Sequence, residues 1–148
     1  MLMNESVLKE EVLFKPGDHQ SNAFRIPALL YTKKKTLIAA ADARMTNQRD
    51  NPNEIKNVIR RSFDQGETWD PIQTTIEFLG DKGINGPAAI DCSLVQDQLN
   101  ERIWLLYSHS PGGIGAFNSW IGTGYDQQDR KIVYNRHYYP YVITNDGR

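Results

Sequence analysis

Short apolar runs alternate with polar turns along most of this chain. The runs are VLF at Val12, FRIPALLYT at Phe24, TLIAAADA at Thr36, NVIRRS at Asn57, TTIEFLG at Thr74, PAAIDCSLVQD at Pro87, RIWLLYS at Arg102 and KIVYNRHYYPYVIT at Lys131. Between them stand PGDHQSN, KKK, DQGET, GDKGINGP, DQLNE and PGG. Runs of this length, rich in β-branched and aromatic residues and bounded by turn formers, predict strands. No stretch keeps apolar residues at helical spacing through three turns, and only the opening MLMNESVLKEEV allows a short helix. The pattern predicts an all-β fold: a sandwich, a barrel or a propeller. HSPGGIGAFNSWIGTGYDQQD reads as a long loop, of the kind that often carries function.

One hairpin breaks the alternation. SNAFRIPALLYTKKKTLIAAADAR places Arg25 between Phe24 and Ile26 and closes its second run on Arg44. Ten residues run from Arg25 to Lys35 and nine from Lys35 to Arg44. The near-equal arms predict the two arginines side by side, a placement suited to an anion between them. Pro27 fixes φ and has no N–H, so it suits the start or edge of a strand.

Composition narrows the function classes. The 148 residues suffice for one domain and one core. With 17 Lys+Arg against 18 Asp+Glu, the chain has no strong pull towards nucleic acid or an anionic membrane. No apolar run reaches the roughly 20 residues of a membrane helix. The first residues are acidic and lack the apolar centre of a signal peptide. A single cysteine, Cys92, leaves no internal disulfide and no cysteine metal cluster. The compartment stays open on this count. His109 and His137 show no metal-ligand spacing. The glycines at 112, 113 and 115 lack the GK[ST] of a phosphate loop. Neither a metal nor an organic cofactor is expected.

RSFDQGETW holds the pattern S-x-D-x-G-x-T-W in Ser62, Asp64, Gly66, Thr68 and Trp69. The aspartate can accept N–H groups two residues on, the glycine supplies a positive φ, and the tryptophan opens the next strand with a large apolar face. The pattern is similar to the Asp-box, a structural mark of β-propeller blades in enzymes and non-enzymes alike. FRIP at Phe24–Pro27, upstream of it, resembles the bacterial sialidases of glycoside hydrolase family 33.

That resemblance implies a six-bladed antiparallel β-propeller, of which this chain would hold the first blade and part of the next. Residues 1–11 form a lead and 12–148 the propeller portion. It implies that Arg25 is the first of three arginines clamping the sialic acid carboxylate, a match of guanidinium to carboxylate. Arg44 maps to a second substrate contact and Asp50 to the general acid/base. Asp42 and Glu54 compete with Asp50 for that role. Asp42 precedes Arg44 by two, so both point to one strand face. Asp91 would accept the acetamido N–H of the sugar and Ile90 would line the acetyl pocket. An aspartate in so apolar a strand is costly without a ligand or partner. Phe117 and Trp120 lie in a loop that resembles one covering the site.

The family's nucleophilic tyrosine, its activating glutamate and the other two clamp arginines normally come later in the chain. The 148 residues alone are therefore expected to be inactive and to need the remainder of the propeller. The implied activity is exo-α-sialidase action on terminal sialic acids of glycans, at a secreted or cell-surface location. Two alternatives stand beside it. One is an intramolecular trans-sialidase. The other is a non-catalytic Asp-box propeller segment that binds glycan or protein.

Overall fold

The computed structural model describes residues 10–113, 115, 124–126, 131–133 and 142–144. Among the described residues nine strands follow in order: β1 (Ala23–Tyr31), β2 (Leu37–Arg44), β3 (Ile55–Ser62), β4 (Gln73–Ile76), β5 (Ala88–Gln96), β6 (Ile103–Ser110), β7 (Gly124–Asp126), β8 (Lys131–Val133) and β9 (Val142–Thr144). The first four form an antiparallel meander in which β2 pairs β1 and β3, and β3 pairs β4. The β5–β6 hairpin joins this sheet through one parallel pairing, Ile55 with Ala88. The last three strands make a separate antiparallel sheet. The all-β expectation and the four-strand order across residues 24–80 both hold.

Burial follows position. β1 is a terminal strand and alternates half-buried with exposed residues. Pro27 lies in it, where a missing N–H costs least. β2 lies between two strands and is buried along nearly its whole length, with alanines at 39, 40, 41 and 43. Such a two-sided strand reads as a continuous apolar run. One core cluster joins Ala41, Ala43 and Val58, with Phe14, Phe24, Met45 and Ile72 packed on it. A second joins Ile55, Ala88 and Ile90 across the β3–β5 contact.

Four expectations are corrected. VLF at Val12 is irregular. Phe14 instead stacks on Phe24 at 5.3 Å, and the Leu13 carbonyl accepts from Arg60 at 2.9 Å, so this segment covers the sheet without pairing in it. The TTIEFLG strand ends at Ile76. KIVYNRHYYPYVIT holds two short strands rather than one. Trp69 precedes β4, which begins only after Pro71. Meanwhile Arg61 grips Asp70 with Nε at 3.1 Å and Nη2 at 2.9 Å, and the Asp70 N–H donates to the Arg61 carbonyl. Residues 1–9, where a short helix was allowed, lie outside the described residues, as do Phe117, Trp120 and His137.

The S-x-D-x-G-x-T-W turn links β3 to β4. Asp64 Oδ1 accepts from the Ser62 hydroxyl at 2.8 Å and the Thr68 N–H at 2.9 Å, and Oδ2 accepts from the Thr68 hydroxyl at 2.6 Å. The backbone donor thus lies four residues on rather than two. Gly66, at φ 95°, donates its N–H to Ser62 Oγ at 2.8 Å. The Thr68 side chain and N–H, then Ser62, hold the Asp64 carboxyl down to about 2. A depressed carboxyl stabilises the fold above its ordinary range and loses that contribution as pH falls through the folded value. NMR titration of Asp64 is expected to give a midpoint near 2, with the turn loosening there. A midpoint in the ordinary aspartate range would refute the bonding scheme.

Candidate active site

The hairpin turn at Thr32–Thr36 brings the ends of β1 and β2 together. Thr32 donates to the Thr36 carbonyl at 2.9 Å, and the Thr36 N–H donates to Thr32 Oγ1 at 3.0 Å. In the resulting register Arg25 stands opposite Asp42, and Arg44 opposite Ala23. A bulge interrupts β1 between Arg25 and Ala28, with Ile26 at φ 53°. That conformation is strained for a β-branched residue.

Beyond β2 the loop from Met45 to Glu54 folds back over the two arginines. Its brace is Asn53, fully buried, whose Nδ2 donates to the carbonyls of Asn47 at 2.9 Å and Arg49 at 3.0 Å. Asn53 Oδ1 accepts the Thr46 N–H at 3.3 Å. The loop's exit is fixed by Glu54. Its Oε2 accepts the Gly83 N–H at 3.2 Å, and its Oε1 pairs with Lys82 at 3.1 Å and Lys56 at 3.5 Å. Glu54 is thus committed away from Asp50.

The loop presents Asp50 to both arginines. Arg44 Nη1 lies 2.6 Å from Asp50 Oδ1, and Arg25 Nη1 lies 3.8 Å from the same oxygen. Both Nη1 groups also point at the Gln48 carbonyl, at 3.4 and 3.5 Å. Side-chain exposure divides the trio: 48% for Arg25, 62% for Asp50 and 0% for Arg44. A buried guanidinium anchors the cluster from beneath, while an exposed guanidinium and an exposed carboxyl face solvent. Arg44 Nε and Nη2 have no hydrogen-bond acceptor among the described residues.

Beneath Arg44 lies Asp42, also fully buried. Its Oδ1 accepts from Asn57 Nδ2 at 2.9 Å and the Cys92 N–H at 3.4 Å. Its Oδ2 accepts the Asp91 N–H at 2.9 Å and stands 3.9 Å from Arg44 Nη2. Burial raises the Asp42 carboxyl, against the lowering effect of the two N–H donors and Arg44. The Cys92 thiol is pushed up to about 12 by burial first and the Asp42 charge second, so it stays a thiol rather than a nucleophile.

Asp91 differs from expectation. Its side chain is exposed, at a bulge in β5 between Ile90 and Ser93, with φ 60°. The buried carboxylate of this region is Asp42, so the costly-burial reasoning belongs to that residue. Ile90 is buried in the second core cluster. Asn53, Asn57 and the bulge donors escaped sequence reasoning. A buried Asn carries no periodic signal, though Asn57 opening an apolar run was a visible irregularity.

No family model matches the chain. Among curated proteins it is 36% identical over 138 residues to an anhydrosialidase of Macrobdella decora, covering 82% of this chain and 18% of that protein. Among solved structures it resembles the intramolecular trans-sialidase of Ruminococcus gnavus, with a TM-score of 0.67 and 32% identity over 78% of this chain and 27% of that one. The NanB sialidase of Streptococcus pneumoniae follows with a TM-score of 0.68 and 27% identity, over 79% of this chain and 20% of that one. The chain thus spans less than a fifth of the anhydrosialidase it matches. Its strand order, its arginine-bearing hairpin and these relatives together make it a sialidase-family chain that carries part of a β-propeller.

Proposed function

We propose that this segment supplies the carboxylate-binding and proton-transfer side of an exo-α-sialidase site. The observation that carries the reading is the meeting of Arg25, Arg44 and Asp50 around one carboxylate oxygen. Arg25, exposed on its strand end, clamps the substrate carboxylate. Arg44, expected from the resemblance to touch the sugar beside that clamp, is wholly enclosed beneath Asp50 and serves by holding the acid's loop. Asp50 protonates the departing glycosidic oxygen and then activates the incoming hydroxyl. Ile90 and Asp91 serve the acetamido group. The two solved neighbours favour an anionic ligand: the Ruminococcus enzyme was solved with oseltamivir carboxylate and NanB with an ethanesulfonate.

Arg25→Lys tests the clamp in the full-length protein that carries this segment. A lysine keeps the charge but loses the two-pronged match to a carboxylate. Charged hydrogen bonds of about 1.5–3 kcal/mol translate into a KM for a sialoside roughly 10- to 100-fold higher. An unchanged KM would remove Arg25 from the clamp.

A second reading has support from the Ruminococcus relative and the anhydrosialidase: the glycosyl group passes to a hydroxyl of the same sugar instead of to water. Mass spectrometry of the released sugar separates the two outcomes. The internal product is lighter than free sialic acid by one water.

A further inference from the structure

Asp42 is placed as a junction. It lies on β2, two residues before Arg44 and on the same face. Its one carboxylate reaches the Asn57 side chain on β3 and two successive backbone N–H groups of β5, 49 and 50 residues away. β3 and β5 share only the Ile55–Ala88 backbone pairing. Asn57 Nδ2 also donates to the Ala89 carbonyl at 3.0 Å and the Lys33 N–H to Gln96 Oε1 at 2.9 Å, so Asp42 is one of the polar ties between the first meander and the next hairpin, and the one directly beneath the arginine that holds Asp50. It also caps a strained feature. Asp91 adopts φ 60° where its N–H points inward at Asp42 Oδ2, and the same bulge turns the Asp91 side chain outward. Across from it, the left-handed Ile26 offers its carbonyl to Cys92 Sγ at 3.5 Å. Two strained residues, one on each side of the seam, meet at Asp42 and its neighbour Cys92. Strain of this kind persists only where its surroundings over-determine it.

We propose that Asp42 is a positioning residue for sialoside cleavage: through Arg44 it fixes the reach of Asp50, and through the Asp91 N–H it fixes the outward aim of the Asp91 carboxyl. Asp42 touches no substrate, because its side chain is wholly enclosed. Its effect passes through two groups, Asp50 on the loop after β2 and Asp91 on the β5 bulge, so both are set from one carboxylate. This rests on the assignment of Asp50 as acid/base.

Asp42→Asn is the informative change. It keeps the shape and one acceptor oxygen, and it removes the charge facing Arg44. The amide nitrogen also places a donor against one of the donors Asp42 now satisfies. The readout is the ratio of kcat/KM for a sialyl-galactoside to that for an aryl sialoside, in the full-length protein. The galactoside leaves as a poor alkoxide and needs the acid. The aryl group leaves with little help. A positioning role lowers that ratio about 10- to 100-fold, the cost of a misplaced group near 1 Å. It also makes the drop vanish when Asp50→Asn is already present, because the acid no longer acts. Asn57→Ala removes one of Asp42's donors and is expected to lower the ratio in the same direction by a smaller factor. It serves where Asp42→Asn yields no soluble protein. A role in folding alone reduces both substrates by one common factor and leaves the ratio unchanged in either variant, and that result overturns the proposal. If the unsubstituted protein cleaves neither sialoside, or if Asp50→Asn leaves the ratio unchanged, the assignment beneath the proposal fails instead.

Discussion

Asp50→Asn is expected to cut kcat/KM for a sialyl-galactoside by about 10²–10⁴-fold in the full-length protein, the usual worth of a general acid. An aryl sialoside should lose much less, because a phenolate-type leaving group departs without a proton. Asparagine keeps the side-chain shape and one acceptor for Arg44 Nη1, so the loop is expected to stay in place. Asn53 and Glu54, which brace that loop, are untouched. Equal losses on both substrates would mean that Asp50 orients the sugar rather than moving a proton. No loss on either would return it to the role of a solvated loop aspartate.

The second large effect concerns stability. Asp42→Ala is expected to cost about 3–5 kcal/mol, the usual penalty for removing one partner of a buried ion pair. The alanine strands the Arg44 guanidinium, already short of acceptors at Nε and Nη2, and leaves the donors of Asn57, Asp91 and Cys92 without their carboxylate. Urea unfolding of the two proteins measures it, and a difference below about 1 kcal/mol would show that water or repacking replaces the carboxylate. The pH trend has a definite sign. Folding raises the Asp42 carboxyl. Its stabilising contribution is therefore full below the ordinary carboxylate range and is lost as pH climbs through the raised value. The gap between parent and variant is expected to be widest in acid and to narrow towards neutrality. Asp64 runs the opposite way, losing its contribution as pH falls.

Much of the frame could be read from the residues. The apolar runs at Phe24, Thr36 and Asn57 become β1, β2 and β3, because each is long enough to pair and is bounded by polar turns. Equal hairpin arms about Lys35 predicted Arg25 and Arg44 side by side, but the register sets Arg25 opposite Asp42, two positions from Arg44, and the two arginines meet at Asp50 instead. Asp50 came from resemblance alone, since nothing local marks one aspartate of TNQRDNPNE over another residue. The bulges were not legible. A left-handed Ile26 or Asp91 has no glycine to announce it, and each depends on partners brought in by other strands. Asp42 illustrates the limit. Strand alternation puts it with Arg44, but its decisive partners are backbone N–H groups about fifty positions on, which have no side-chain identity to read. VLF at Val12 failed as a strand for a related reason: a three-residue apolar run can be buried against a sheet as well as within one.

The bulge in β1 also bears on how safely the sheet can be made. A growing β-sheet exposes a row of unpaired amides on its outermost strand, and a neighbouring nascent chain can zip onto that row. Here the row is broken in the middle. Pro27 offers no N–H, and the kink at Ile26 turns the backbone out of line on either side. The regular pairing edge is cut into two pieces, Ala23–Arg25 and Ala28–Tyr31, each too short to template a long foreign strand. The same irregularity that follows Arg25 therefore protects the half-made protein from cross-β aggregation. Straightening it would be expected to damage solubility during synthesis as well as the site.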